Sequence, residues 1–176
     1  MTIVTTADGE SAETAPWTAV AADFDTFFSC HYAELVRALS LALGDVEFGR
    51  DAASEGFTKA LQRWNSVSQY SNPTGWVYRV GLNWAHSRWR RSRRERTGLV
   101  VDAAAPTVAG RDASLIAALQ QLSFDHRSVI VGRYYLDWSE AQIASALDIA
   151  PGTVKSRLSR ALAQLEELLE ESHGRS

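Results

Sequence analysis

From Asp23 to Leu43 the large apolar residues are Phe24, Phe27, Phe28, Tyr32, Leu35, Val36, Leu39 and Leu43. Steps of three and four place them on one face of a helix, because an α-helix turns once every 3.6 residues. The same spacing recurs along most of the chain, and it restricts the fold more than any other feature. Ala53, Phe57, Ala60, Leu61 and Trp64 form a second stripe, with Asp51, Glu55 and Lys59 on its polar side and an end near Trp64, where the polar run NSVSQYSNP begins. Pro73 holds Asn72 extended and suits the first turn of a third helix. There Trp76, Val77, Val80 and Trp84 make the buried stripe, while Arg79, Asn83 and Arg88 face outward. Both tryptophans lie on the apolar side, which assigns them to the core rather than to a stacking platform.

After residue 96 the period stops. The stretch TGLVVDAAAPTVAGRD, residues 97–112, is rich in small residues with Gly and Pro and reads as a flexible linker. The helical pattern resumes at Ser114 with Leu115, Ile116, Leu119 and Leu122. It continues with Val129, Ile130, Tyr134 and Leu136 after a break at Ser123, a candidate N-cap. The predicted fold is therefore all-α, with two small helical domains. The expected boundaries are a disordered tail over 1–22, a first domain over 23–96, the linker over 97–112 and a second domain over 113–172.

The net charge of −3 does not suggest a polyanionic partner, but its distribution does. Residues 1–78 carry ten acids and four bases, whereas 79–96 carry seven arginines (79, 88, 90, 91, 93, 94 and 96) against Glu95 alone. Cations favour a helix C-terminus in any protein, yet seven so close repel one another unless a polyanion lies near. The single cysteine, Cys30, excludes an intrachain disulfide and fits a reducing compartment. The N-terminus has acids where a signal peptide needs cations, and no run approaches the ~18 apolar residues of a membrane span. A soluble cytoplasmic protein without membrane insertion is expected.

The last third of the chain carries the most specific geometry. Ser139 can cap a short helix, EAQIASAL, which ends at Leu147 or Asp148; three residues later Pro151 opens another, at the position where its missing N–H costs nothing. Two helices joined by so short a turn are a helix-turn-helix arrangement. In the second of them Val154, Leu158, Ala161, Leu165 and Leu168 share one sector. Lys155, Ser156, Ser159 and Arg160 fall opposite, with Arg157 on the flank. A plain amphipathic helix also divides in this way, but here no acid appears before Glu166, so the N-terminal end could enter a major groove. Gly152, inside the first turn, costs helix propensity and hints at a close approach of something to this turn.

At this level of detail the sequence resembles the extracytoplasmic-function sigma factors, two-domain bacterial transcription initiation factors. The segment WSEAQIASALDIAPGTVKSRLSRAL is similar to their region four, and LQQLSFDHRSVIVGRYYLDWSE to the helices before it. GDVEFGRDAASEGFTKAL and NPTGWVYRVGLNWAHSRWRR are similar to region two, so the likeness spans about residues 23–171. Ser54, Leu82, Ser87 and SFDHR depart from the usual pattern at positions of promoter detail. The resemblance implies a region two helical bundle and a region four helix-turn-helix. Asp51, Glu55, Phe57 and Lys59 would dock on the beta-prime coiled coil of core RNA polymerase. The loop at 65–72 with Tyr70, together with Asn83, Arg88, Arg90, Arg91 and Arg94, would open and read the minus-ten element of promoter DNA. Lys155, Ser156, Ser159 and Arg160 would read the minus-35 element, with Thr153 and Arg157 on the backbone.

A free-standing helix-turn-helix repressor is the alternative, but the first half shows neither a cofactor motif nor a zipper heptad. An enzyme fits less well. Cys30 and His31 are adjacent rather than spaced for metal ligation, the other histidines are scattered, and neither a phosphate loop nor a nucleophile elbow appears. No cofactor or metal is expected. Because the chain runs only five residues beyond Glu171, control is expected from a separate anti-sigma factor.

Overall fold

The computed structural model describes residues 16–95 and 111–173, with side chains described for 23–91 and 114–171. Helix α1 spans Pro16–Leu43, α2 Val46–Gln62, α3 Trp64–Val67 and α4 Pro73–Glu95. After the undescribed stretch come α5 (Arg111–Gln121), α6 (Phe124–Ile130), a π-turn (Val131–Tyr135), α7 (Glu140–Leu147) and α8 (Pro151–His173). The described residues contain helices and turns but no strand, as the apolar period requires.

Two expected boundaries move. The first helix begins at Pro16 rather than Asp23, so residues 16–22, expected to be disordered tail, are helical. Proline at the first helical position presets φ and loses no hydrogen bond, and no second breaker follows before Gly44. Likewise α5 begins at Arg111, so residues 111–112 of the expected linker are helical; the rest of that linker, 97–110, and residues 1–15 lie outside the described residues.

In the first module α1, α2 and α4 pack as a bundle around Leu35, Leu39, Ala52, Phe57 and Val77. Each fully buried leucine, such as Leu35 or Leu39, contributes about 2 kcal/mol by leaving water. Short α3 is tied back at its start, where the indole N–H of Trp64 donates to Asp23 at 3.2 Å and its ring meets Phe24 edge-on at 5.2 Å. Gly44, at φ 76°, reverses the chain after α1, its N–H closing on the Ser40 carbonyl at 2.8 Å. Asp45 then caps α2 through the Phe48 N–H at 2.7 Å. At the next helix start the Asn72 side-chain oxygen accepts from the Gly75 N–H at 2.8 Å, so the residue before Pro73 is also the cap of α4.

Beyond α5, the second module starts its helices as the sequence indicates. Ser123 caps α6 through the His126 N–H at 3.3 Å. Ser139 and Gln142 form a reciprocal capping box, at 3.2 Å from the Gln142 N–H and 2.8 Å from the Ser139 N–H. Asp148 stops α7 in the left-handed conformation, φ 57°, and α8 begins at Pro151. Leu115 and Tyr134, expected inside, are instead exposed along an apolar groove between α5, the π-turn and α8.

The buried stripe of α4 differs from the expected one in a way that shapes the whole molecule. Val77, Tyr78, Leu82 and Ala85 are buried, while Trp76, Val80 and Trp84 are only partly so. Tyr78 is 0% exposed. It is covered by the second module: its ring meets Trp138 edge-on at 5.5 Å and its hydroxyl donates to the Ser128 carbonyl at 3.3 Å. A single buried cluster therefore runs through both modules. On the far side of this seam the Gln120 amide donates to the Gly44 carbonyl at 3.4 Å, and Arg127 reaches over the same glycine.

Candidate nucleic-acid interface

The capping box fixes where α7 begins, and the left-handed Asp148 fixes the turn that redirects the chain into α8. Val154, Leu158 and Ala161 are buried beneath α8, with Leu165 and Leu168 half-buried beyond them. That anchoring presents Lys155, Ser159 and Arg160 to solvent, and Thr153, Ser156 and Arg157 sit half-buried at the edges. Not every polar group there is equally available. The Ser156 hydroxyl donates to the Thr153 carbonyl at 3.1 Å within its own helix. The Arg157 guanidinium donates to Asp125 of α6 at 2.6 Å. Lys155 and Arg160 form no ion pair among the described residues. The space a Gly152 side chain would fill is open, so nothing within this chain accounts for the glycine.

On the first module Asn83, Arg88, Arg90 and Arg91 are exposed along one end of α4. Arg88 lies over the Trp84 ring at 5.4 Å, which orients its guanidinium without neutralising it. Arg94 is in the helix, but its side chain lies outside the described residues. Tyr70 stands 47% exposed in the turn before α4. Arg79, expected to face outward, instead reaches Asp148 of the second module at 3.4 Å. Asn83, Arg79 and Arg157 line a single cleft of about 500 Å³ between the modules.

The edge of α2 requires a correction. Phe57, expected as an exposed docking aromatic, is 2% exposed and packs against Phe27 at 5.7 Å, Phe28 at 5.1 Å and Tyr32 at 5.6 Å. Its place on the stripe with Ala53 and Ala60 already carried that signal. Leu61, expected inside on the same stripe, is 53% exposed. It shares the outer arc of α2 with Asp51, Thr58 and Glu55, and Lys59 pairs with Glu55 at 3.0 Å. Among the described residues no group of three or more His, Cys, Asp or Glu could hold a metal. No described helix is long and apolar enough to cross a membrane.

Comparison with known proteins agrees with this geometry. Residues 112–165, which contain the helix-turn-helix, match the family model for sigma-70 region 4. Over 151 residues the chain is 36% identical to the ECF RNA polymerase sigma factor SigL of Mycobacterium tuberculosis, covering 80% of this chain and 85% of that protein. The chain belongs to the ECF RNA polymerase sigma factors. This sigma factor is also 28% identical over 153 residues to the RNA polymerase sigma-E factor of Streptomyces coelicolor, covering 84% and 86% of the two chains. Among solved structures it is similar to the sigma factor RpoE of Bartonella quintana, captured with the anti-sigma factor NepR. There the TM-score is 0.76 at 26% identity, over 84% of this chain and 97% of that one. CnrH, in complex with the cytosolic domain of CnrY, shares the fold at a TM-score of 0.63 and 21% identity over 88% and 94%. The sigma factor reading thus stands, and nothing favours the repressor alternative.

Proposed function

We propose that this sigma factor binds core RNA polymerase through the outer arc of α2 and directs it to promoters read at two places. The second module reads the minus-35 element as duplex DNA through the exposed face of α8. Arg160 and Lys155 reach base edges, Ser159 and Ser156 lie between them, and Thr153 and Arg157 engage phosphates. The open space over Gly152 allows the DNA backbone to approach the first turn of α8, where unpaired helix N–H groups also favour phosphate. The observation that carries this reading is the capping-box helix pair whose second helix exposes Lys155, Ser159 and Arg160 and no acid before Glu166.

The first module opens and reads the minus-ten element. Tyr70 offers a stacking surface for an unpaired base, Asn83 a base-edge contact, and Arg88, Arg90, Arg91 and Arg94 a track for phosphates. Polymerase docking uses Asp51, Glu55 and Lys59 with Leu61 as the apolar element, in place of the buried Phe57. RpoE of Bartonella quintana was captured with the anti-sigma factor NepR, and an anti-sigma factor is the expected regulator of this chain too. Run-off transcription with core polymerase on genomic fragments tests the whole reading. Specific start sites that need the chain support it, and a footprint by the chain alone with no added initiation contradicts it.

A further inference from the structure

Leu43 at the end of α1, Phe48 of α2 and Ala85 of α4 border a pocket of about 330 Å³ that has no part in the function proposed above. Its other walls are His86 and Trp89 of α4 and Phe124 and Arg127 of α6. Ala85 is fully buried, whereas His86 and Trp89 are exposed at the rim, so the pocket opens to solvent beside α4. Three of its rings are nearly parallel: His86 stacks on Phe124 at 5.6 Å and 11°, and on Trp89 at 6.4 Å and 18°. Flat rings in such an array favour a flat ligand over a branched or saturated one.

Arg127 brings a charge into these apolar walls. It lies half-buried over Gly44, and burial lowers its pKa against a smaller opposing effect from Tyr78. Its Nη1 donates to the Gln120 carbonyl at 3.3 Å, but its buried Nε meets no acceptor. No carboxylate pairs with it among the described residues. The acids nearest to it and to Gly44 in sequence are engaged elsewhere, Asp125 with Arg157 at 2.6 Å and Asp45 with the Phe48 N–H at 2.7 Å. One hydrogen bond to a neutral carbonyl does not offset the cost of desolvating a guanidinium; an anion beside it does.

We propose that this pocket binds a small aromatic carboxylic acid, its carboxylate paired with Arg127 and its ring laid against Phe124, His86 and Trp89. The volume lies at the small end of ligand pockets and suits one or two fused rings. A single guanidinium matches a single carboxylate, which its planar donors meet in a bidentate way, whereas a nucleotide's phosphates carry more charge than one cation balances. Because α1, α2 and α4 supply one side of the pocket and α6 the other, a bound acid also adds to the stability of the fold.

Calorimetric titration of the full chain with 2-naphthoate tests the site. The parent should bind it with a Kd of about 1 mM or tighter, and saturation should raise the melting temperature by a few degrees. The uncharged 2-naphthamide and the non-planar cyclohexanecarboxylate should each bind about tenfold more weakly. Arg127→Gln should lose about tenfold for 2-naphthoate and leave the weak binding of 2-naphthamide unchanged, a split that general loosening of the fold would not produce. Absence of binding by the parent, equal affinity for acid and amide, or an Arg127→Gln variant that binds the acid like the parent each overturns the site. Displacement of 2-naphthoate by an equal concentration of inorganic phosphate overturns the aromatic assignment. If circular dichroism shows that Arg127→Gln has lost helix, Trp89→Leu at the exposed rim decides: a severalfold loss of affinity supports the site, and an unchanged affinity overturns it. The titration contains no polymerase, so its failure leaves the proposed function standing, and failure of the chain to initiate leaves the site standing.

Discussion

Arg157 of α8 donates to the Asp125 carboxylate of α6 at 2.6 Å, across 32 positions of sequence. An acid thus occupies a cation proposed for DNA. Both side chains are partly solvated, so the pair is worth well under what a buried one would be, about 0–1 kcal/mol, and a phosphate can displace the carboxylate. Asp125→Asn should raise promoter affinity about two- to fivefold at low salt. Arg157→Ala should weaken binding to all sequences alike and reduce the slope of log affinity against log salt by about one. Fluorescence anisotropy with duplex minus-35 DNA across a salt series measures both effects, and an effect of Arg157→Ala confined to one base position would contradict the backbone role.

Arg160 differs from Arg157 in being exposed with no acid partner among the described residues. Its proposed contact is to a base edge, so Arg160→Ala should cost about 1–3 kcal/mol and relax preference at one position of the minus-35 element. Start-site mapping on a promoter dependent on that element checks this. Normal initiation there would show that the reading face of α8 has been assigned wrongly.

Phe57 and the outer arc of α2 should separate stability from polymerase binding. Phe57→Ala removes a ring from the aromatic cluster of α1 and α2 and should destabilise the fold by about 3–5 kcal/mol. Asp51→Asn with Glu55→Gln, or Leu61→Ser alone, should leave the melting temperature within a few degrees and reduce retention of core polymerase. Thermal denaturation and a pull-down on the same preparations check the division. Unchanged polymerase retention in both surface variants would move the docking site elsewhere.

Tyr78 makes the packing of the two modules sensitive to alkaline pH. Burial pushes its phenol well above the ordinary value of 10.0, with a smaller opposing effect from Arg127. A group whose pKa is raised in the closed state contributes stability that is complete below its open-state value and is lost as pH rises past it. Closure should therefore weaken above about pH 10, with the uptake of one proton on closing, and Tyr78→Phe should abolish that component. Trp138 fluorescence followed against pH in the parent and the variant measures it. Identical alkaline transitions in the two proteins would assign the effect to other groups.

Much of this was legible in the residues because it depends on local geometry. Helix type follows from apolar steps of three and four. The starts at Pro73 and Pro151 and the caps at Ser123 and Ser139 follow from side chains that act within one turn of their own position. The cationic face of α8 was legible for the same reason, since a helix fixes which residues share a side before anything packs against it. For Phe57 the resemblance to a docking edge stood evenly against its own apolar stripe, and its burial sides with the stripe.

What the sequence could not determine is how many sides of a helix become covered. Tyr78 lay beside a one-sided stripe on α4 and Arg79 was expected outside, yet the second module covers Tyr78, which becomes core, and pairs with Arg79. The occupation of Arg157 by Asp125 and the sharing of one cleft by Asn83 and Arg157 depend equally on residues distant in the chain. Helical periodicity, caps and charge faces were set by the amino-acid order alone, because their interactions span a turn or two. Whether the two modules stand apart or close on each other was decided only in three dimensions, where long-range burial of an aromatic ring outweighs the local preference of a phenol for water.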